Sequence, residues 1–392
     1  MVYCVWERYV TDVRTPDNFS YGTKLTKKLL KQSLPGDGSL LAITFCIVFP
    51  RTPLAVKSVI STINAIPWLN YIMFRQCNFD RGGDSLLHAI LDQCPRIEII
   101  SFRDCKLSPM PATRFFRQLR ANHTLTTLEI TRHLFTPPST EIFTDAFANL
   151  KTLHLDLPEP VPSLSSTIGP ILSNTCIETL RLYQGPTFLW SRFNDALFVA
   201  LRHNRSVTRL FIKNGRFSSC FANLSTNKTL KKIVLHSCAF DKKTGGFFVA
   251  HWIHTLRSLR TLDLNACKLD NPDVEQLFLA LRGNATLKKL KLHNNTTNRI
   301  RVPLARLIRS NRALRDLLTN HLFAHSPYAS QRGDVERAMK FHPTLERFMD
   351  FESSKNHQNR IARSRTLAFM AYVKFCSKSY EAYCNTKKAR YY

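Results

Sequence analysis

The chain has 392 residues, of which 44% are hydrophobic, so it carries enough apolar side chains to fold. It has 56 lysines and arginines against 28 aspartates and glutamates, a formal net charge of +28 that favours acidic or polyanionic partners. No apolar run reaches about 18 residues, which excludes an ordinary transmembrane helix. The N-terminal segment lacks the plan of a signal peptide. We therefore expect a cytoplasmic protein without a membrane partner, with the nucleus as the alternative location.

Residues 1–68 precede the repeats described below, and we predict that they form an N-terminal cap with room for one degenerate repeat that starts near Leu41. The same stretch has a second interpretation. Leu34-Pro35, a following apolar pair and Trp68 loosely resemble an F-box, which implies a ubiquitin-ligase substrate receptor. That interpretation requires helices, so a strand over residues 44–48 would exclude it.

Between residues 69 and 320 one short phrase recurs ten times: an apolar residue, two others, an apolar residue, any residue and an apolar residue. The first copy reads Leu69-x-x-Ile72-x-Phe74. The copies start at Leu69, Ile97, Leu125, Leu150, Ile177, Val207, Leu230, Leu259, Leu287 and Leu314. Successive starts are 23 to 30 residues apart, a period typical of a solenoid. The fourth and sixth positions are two residues apart, which places both on one side of a short strand.

A small or polar residue recurs at the ninth position of the phrase, where the chain leaves the strand. Cysteine occupies it four times, and other residues occupy it elsewhere: Cys77, Cys105, Cys238 and Cys267, then Gly185, Gly215, Asn295 and His133. We predict that this side chain turns inward and satisfies backbone atoms. The cysteines are then buried thiols rather than disulfides or metal ligands, although the chain has 11 of them.

The segments between strands have helical spacing. In "NPDVEQLFLALRGN" four apolar residues fall on one face, namely Val274, Leu277, Phe278 and Leu281. Asn271 or Asp270 is the predicted cap of this helix, and Pro272 its first residue. Asparagine recurs three residues before the phrase, at Asn122, Asn174, Asn204, Asn227, Asn284 and Asn311. We predict that it ends each helix in the left-handed conformation that asparagine tolerates.

Together these features resemble a leucine-rich repeat protein of the ribonuclease-inhibitor-like subclass. The resemblance covers about Leu69 to Leu318. It implies an α/β solenoid shaped as a curved horseshoe, with a parallel sheet on the concave face and helices on the convex face. Members of that subclass inhibit enzymes, activate GTPases, cap filaments, sense ligands or receive ubiquitin-ligase substrates. The resemblance therefore specifies a fold and leaves the function open.

Residues 321–392 break the period of the repeats. The segments "GDVERAMKFHPTLERFMDF" and "NRIARSRTLAFMAYVKFCSKSYEAYC" have apolar spacing typical of helices. We predict a C-terminal helical cap, and a basic partner-seeking tail is the alternative.

The positive charge is concentrated in the second half of the repeats. Residues 71–200 contain 12 lysines and arginines and 12 acidic residues, whereas residues 201–320 contain 23 and 6, a net +17. Strand residues between the apolar positions should face the concave side. The predicted partner-binding residues there are Arg181, Tyr183, Arg209, Phe211, Lys213, Lys232, His236, Lys289, Lys291 and His293. Like charges on adjacent strands repel each other unless an anion or acidic partner intervenes.

These observations predict a non-catalytic scaffold that binds an acidic protein surface through its basic concave face. A second hypothesis is a nucleic-acid or ribonucleoprotein accessory factor, and a solvated surface without a dedicated partner is the third interpretation. No catalytic motif is present, and we predict no catalytic residues, cofactor, metal or small-molecule substrate. His154 and Asp156 lie two apart on one strand, but no nucleophile is visible beside them.

Overall fold

The computed structural model describes residues 2–6, 9–13, 41–46, 53–65, 69–75, 77, 79, 84–131, 142, 145–157, 162–173, 176–185, 191–217, 224–240, 245–295, 300–319, 335, 338, 345 and 347–350. The turn residue Asn174, the ninth-position His133 and the second C-terminal helix predicted above lie outside the described residues. So does most of the predicted cap or tail over 321–392.

Within the described residues, fourteen strands form one sheet, and two further strands of two residues form a second, smaller sheet. The strands are β1 Val2–Trp6, β2 Tyr9–Val13, β3 Leu41–Cys46, β4 Tyr71–Arg75, β5 Ile99–Arg103, β6 Thr127–Thr131, β7 Thr152–Leu157, β8 Thr179–Gln184, β9 Arg209–Lys213, β10 Arg216–Phe217, β11 Lys232–His236, β12 Ala239–Phe240, β13 Thr261–Asp263, β14 Lys289–Lys291, β15 Asp316–Thr319 and β16 Arg347–Asp350. From β3 to β16 the strands of the large sheet pair in parallel and in chain order, with β10 and β12 set apart.

Helices connect most successive strands of the large sheet. They are α1 Pro53–Asn64, α2 Asp84–Gln93, α3 Pro109–Ala121, α4 Pro162–Ser173, α5 Ser191–His203, α6 Gly245–Thr255, α7 Asn271–Arg282 and α8 Arg301–Ser310. In the repeat that spans 23 residues, Leu224–Thr226 form a 3₁₀ turn between β10 and β11. A connection this short leaves little chain for a helix of usual length. No helix within the described residues is both long and apolar enough to cross a membrane.

Each of the ten predicted phrases coincides with a strand that begins two residues after the start of the phrase. The three apolar positions are buried between sheet and helices, as Val207, Leu210 and Ile212 illustrate with 0–1% exposure. The residues between them alternate toward the other side of the sheet. The chain therefore folds as a leucine-rich-repeat solenoid, as predicted, with its core between the concave sheet and the convex helices.

The helix predicted within residues 271–284 is confirmed as α7, with Val274, Leu277, Phe278 and Leu281 buried and Pro272 as its second residue rather than its first. Asp270 is its N-cap, because its carboxylate accepts a hydrogen bond from the Asp273 backbone N–H at 3.0 Å. The Asp273 carboxylate accepts in return from the Asp270 backbone N–H at 3.2 Å. This reciprocal capping box fixes where the helix begins.

The ninth-position side chains turn inward and bond to the backbone, as predicted. The Cys267 thiol donates to the Leu235 carbonyl at 3.1 Å, and the Cys105 thiol to the Phe74 carbonyl at 3.2 Å. Asn295 donates to the Leu264 carbonyl of the previous repeat at 2.9 Å. The four cysteines at this position are buried, and they form no disulfide within the described residues. The thiol thus serves as a small buried donor within the solenoid.

The turn asparagines act differently from the prediction. Asn122 and Asn311 have φ near −85° and ψ near 126°, which is extended backbone, so the predicted left-handed conformation is wrong. Their role lies in the side chain. The residues with positive φ include Asp104, Asn214, Ser237, Ala266 and Asn294, at the eighth position of the phrase. The reversal that needs a left-handed residue therefore follows the strand rather than the helix.

The structure also corrects the interpretation of the segment before the repeats. β3 covers Leu41–Cys46 and pairs in parallel with β4, so Ala42 lies opposite Tyr71. The helical F-box interpretation is wrong for this segment. β1 and β2 continue the sheet beyond β3 as antiparallel strands.

The other end of the sheet brings a second correction. β16, at Arg347–Asp350, pairs in parallel with β15 where the sequence predicted a helix. Leu345-x-x-Phe348 repeats the start of the phrase with Asp350 in place of its last apolar residue, which explains how the prediction missed it. Val335 and Ala338, earlier in the same segment, are buried against the core.

Candidate functional site

The predicted partner-binding residues lie on the concave face of the sheet. They belong to β8, β9, β11 and β14, except His293, which follows β14. The parallel register places Arg181 opposite Phe211, and Tyr183 opposite Lys213. Lys213 in turn lies opposite His236 on β11. The predicted ladder of side chains along the inner face is thus present. Along β9 the concave-face residues Arg209 and Lys213 are exposed, whereas Leu210 and Ile212 point to the helices and are buried.

Six of these residues form a group that we call the cation–aromatic cluster: Arg181, Tyr183, Arg209, Phe211, Lys213 and Lys232. The Arg181 guanidinium lies 5.1 Å from the Phe211 ring centroid, and the Lys232 ammonium 4.9 Å from it. Since β8 and β11 flank β9, two neighbouring strands supply these cations. The Lys213 ammonium lies 5.5 Å from the Tyr183 ring centroid. Such distances are within the range of cation–π attraction.

The cluster remains positively charged within the described part of the chain. None of its cations forms an ion pair there, because the ion pairs on this face involve Lys289, Lys291 and two histidines. Burial and the charges of Lys291, Arg209 and Lys289 lower the pKa of Lys232, although Asp263 opposes them. Burial is the largest of these causes, and the neighbouring cations add to it, so an incoming anion would favour the charged form of Lys232.

Two other predicted residues, Lys289 and Lys291, are paired with acidic residues that the sequence analysis missed. The Lys291 ammonium lies 3.0 Å from a carboxylate oxygen of Asp263, and the Lys289 ammonium 3.2 Å from Asp316. His236 Nε2 lies 3.4 Å from the second Asp263 oxygen. These aspartates therefore relieve the repulsion between the lysines, and the predicted cations without a described carboxylate partner on this face are those of the cation–aromatic cluster.

Asp263 is the centre of this network and is only 4% exposed. Burial would raise the pKa of Asp263, but the contact with His236 and the ion pair with Lys291 outweigh it and hold that pKa below its usual value. The carboxylate is therefore ionised at neutral pH and compensates positive charge within the sheet.

His293, the last predicted site residue, is a neutral imidazole at neutral pH. Burial, helped by the charges of Lys291 and His236, lowers the pKa of His293 to about 4, although Asp263 and a hydrogen bond with the Thr319 backbone oppose the shift. Because the folded pKa lies below the ordinary 6.5, the unfolded chain binds a proton first as pH falls. His293 therefore adds little to the positive charge of the face.

We expect the free energy of unfolding to decrease as pH falls from about 6.5 to about 4, because only the unfolded state gains the His293 proton in this window. His293→Asn should flatten the dependence. Urea denaturation at a series of pH values measures it. An identical pH profile for His293→Asn and wild type would contradict the assignment.

A second polar group lies on the neutral half of the face. Ser101, Glu129 and His154 occupy opposite positions on β5, β6 and β7. His154 Nδ1 lies 3.7 Å from Glu129, and its ring meets Tyr183 edge-on with centroids 4.6 Å apart. Burial would raise the pKa of Glu129, but His154, Ser101 and Arg103 outweigh it and lower that pKa.

This polar group does not have the order that a nucleophilic triad requires. Glu129 lies between Ser101 and His154, whereas a serine nucleophile needs direct contact with its base. Among the described residues no group of three histidine, cysteine or acidic side chains is arranged to hold a metal ion. The polar group instead lies beside Tyr183, whose ring contacts His154.

Comparison with known proteins adds little to this description. No family model matches the chain, and no curated protein matches it. One solved structure that it resembles is the tropomodulin C-terminal domain of Caenorhabditis elegans, at 14% identity, covering 32% of this chain and 82% of that chain with a TM-score of 0.26. Another belongs to the Rad7 and Elc1 complex of yeast, at 15% identity, covering 69% and 76% with a TM-score of 0.42. The repeat fold therefore rests on the strands and helices described above.

Proposed function

We propose that the protein is a non-catalytic scaffold that binds an acidic protein surface through the cation–aromatic cluster. The observation that carries the proposal is that only some positive charges of the concave face have a carboxylate partner within the chain. Lys289 and Lys291 are paired with aspartates of the chain, while Arg181, Lys213 and Lys232 surround two aromatic rings and pair with no described carboxylate. Acidic side chains of a partner would supply the missing countercharge.

The rings support a protein partner over a nucleic acid at this cluster. Base stacking requires an open aromatic face. Arg181 and Lys232 lie over the Phe211 ring, and Lys213 lies over the Tyr183 ring. The rings therefore hold the cations in place for carboxylates, and leave little face for bases. We infer no catalytic role, and the cytoplasmic location remains a prediction.

The matched test compares two double charge reversals with equal net charge. Arg181→Glu with Lys213→Glu alters the cluster, and Arg117→Glu with Lys268→Glu alters exposed cations elsewhere. Binding of a labelled poly-glutamate peptide is measured by fluorescence anisotropy, and bound cellular proteins by affinity purification. We expect the cluster variant to bind at least about tenfold more weakly, and the control to bind as wild type does.

Equal binding by all three proteins would contradict the proposal. So would a wild-type protein that does not bind the peptide at low salt. Circular dichroism shows whether each variant is folded, and both sites are exposed enough for the substitutions to be tolerated. Single-stranded RNA as a second probe addresses the nucleic-acid hypothesis, which would replace the proposal if only RNA binding required the cluster.

A further inference from the structure

A second ladder runs along one lateral edge of the solenoid, formed by the residue that precedes each strand. The backbone N–H of Arg260 donates to the Lys231 carbonyl, that of Lys288 to Arg260, and that of Arg315 to Lys288, each at 2.8 Å. Four cations from successive repeats therefore occupy adjacent rungs. The spacing of strands, about 4.8 Å, makes this row roughly 14 Å long.

In the first half of the chain the same ladder contains neutral, acidic and basic residues. There its rungs are Asn70, Glu98, Thr126, Lys151 and Glu178, linked by the same backbone hydrogen bonds. Position and backbone geometry are thus constant along the edge, and only the charge changes. The row of cations is therefore a property of the later repeats, rather than a consequence of the repeat fold.

A second row of cations lies beside the first, at the turn between helix and strand. Its members directly follow the turn asparagine or stand at the equivalent position, and they are Arg205, Lys228, Arg257 and Arg312, with Ala285 at the remaining rung. All four are exposed. The early repeats have proline, histidine, alanine and threonine at these positions. We call the two rows together the basic edge.

Side-chain contacts keep these cations at the edge. The Arg260 guanidinium donates to the Thr286 carbonyl at 3.0 Å, and the Lys288 ammonium lies 3.5 Å from the Ala285 carbonyl. Within the described residues Lys228, Lys231 and Arg260 form no ion pair with a carboxylate. Cations on neighbouring rungs that have no described carboxylate partner repel each other and attract counterions, which a polyanion can displace.

The basic edge lacks the apolar centre of a protein interface. The exposed large hydrophobic residues of the described chain are Leu54, Met110, Val199, Leu279 and Val302, and none belongs to either row. Protein interfaces usually bury apolar and aromatic side chains at their core. Contacts to a phosphate backbone instead require chiefly arginine and lysine.

We propose that the basic edge binds the phosphate backbone of a nucleic acid without reading its sequence. The first row has four cations, one from each rung, so we expect about four phosphate contacts. This surface is lateral to the concave face, and it is independent of the acidic-protein site. The structure thus has two anion-binding surfaces that share the later repeats.

The test uses mixed-sequence duplex DNA and single-stranded RNA, each labelled, with binding measured by anisotropy over a range of salt. With about four phosphate contacts, the logarithm of the binding constant should fall against the logarithm of salt with a slope near −3 to −4. Changing Lys228, Lys231, Arg260 and Lys288 to Glu should weaken binding at least about tenfold and reduce the slope. The corresponding Gln variant removes charge without reversing it, should the first variant not fold.

A control with the same net charge changes Lys57, Arg117, Arg192 and Lys268 to Glu, which are exposed cations outside the edge. It should retain the wild-type slope. Absence of wild-type binding at low salt, or equal losses in edge and control variants, would overturn the proposal. Arg181→Glu with Lys213→Glu should leave nucleic-acid binding unchanged, which separates failure here from failure of the acidic-protein site. Loss of poly-glutamate binding in the edge variant alone would make the edge a protein site instead.

Discussion

Replacing Asn204 by alanine is expected to lower the free energy of unfolding by about 2–4 kcal/mol, because one buried side chain joins two repeats. Its amide donates to the Leu172 carbonyl of the previous repeat at 2.6 Å, and its oxygen accepts from the backbone of Ser206 and Val207 at 3.0 and 2.7 Å. Alanine would leave these buried groups without their partner. Urea denaturation followed by circular dichroism measures the loss.

Two further variants identify the cause. Asn204→Asp keeps an acceptor for Ser206 and Val207 but removes the donor to Leu172. We therefore expect it to lower the free energy of unfolding by between half and all of the loss in Asn204→Ala. Asn149→Ala is the control, because its amide makes longer bonds, at 3.2 and 3.3 Å, in a more exposed place. A loss for Asn204→Ala no larger than that for Asn149→Ala would show that the turn does not depend on this side chain.

The same arrangement recurs at the other described turn asparagines, which explains what the sequence could and could not reveal. Asn227, Asn284 and Asn311 each donate to a carbonyl of a preceding repeat and accept from the backbone two or three residues ahead. Their spacing supported the register of the repeat that the apolar phrase had already defined. Their conformation was wrongly predicted because asparagine suits two roles at a helix end, and only coordinates distinguish a side-chain bridge from a left-handed residue.

The strands were predictable because burial constrains them strongly. A phrase with apolar residues at the first, fourth and sixth positions leaves one way to bury Val207, Leu210 and Ile212 together. β16 was missed because Asp350 replaces the last apolar residue of the phrase. In addition, so short a segment fits both helical spacing and the phrase. Short segments at the end of a solenoid lack the repetition that made the central repeats recognisable.

The site was harder to predict than the fold because charge compensation depends on neighbours in space. The sequence prediction considered each cation alone. In the structure Asp263 lies opposite Lys291 and Asp316 opposite Lys289, and each aspartate offsets the positive charge of its lysine. The signal was present, since Asp263 occupies the same phrase position as Lys291. Comparing whole ladders, rather than single residues, would have located the compensated and uncompensated parts of the face.

Replacing Asp263 by asparagine should change stability and binding in opposite directions. We expect the free energy of unfolding to fall by about 1–3 kcal/mol at neutral pH, since a buried carboxylate is removed from Lys291 and His236. This loss is smaller than the about 3–5 kcal/mol typical of a broken buried ion pair, because the Lys291 side chain is 32% exposed. Asp145→Asn is the control, because that carboxylate pairs with Arg120 in an exposed position and should cost under about 1 kcal/mol.

The pH dependence of this loss has a definite sign. The folded pKa of Asp263 lies below its usual value, so its contribution is present above the unfolded pKa and disappears as pH falls through the folded one. The difference between Asp263→Asn and wild type should therefore shrink in acid. A difference that stays constant with pH would mean that packing, and not charge, accounts for the loss.

Binding of an acidic peptide provides a second test of the role of Asp263. Without Asp263 the face gains one net positive charge beside Lys232 and Lys291, so poly-glutamate should bind more tightly to the less stable variant. General damage to the fold would weaken stability and binding together. Opposite changes would instead show that Asp263 restrains the positive charge of the concave face, and that the acidic partner competes with a carboxylate of the chain for the same cations. A parallel decrease in both quantities would argue against an acidic partner at this end of the face.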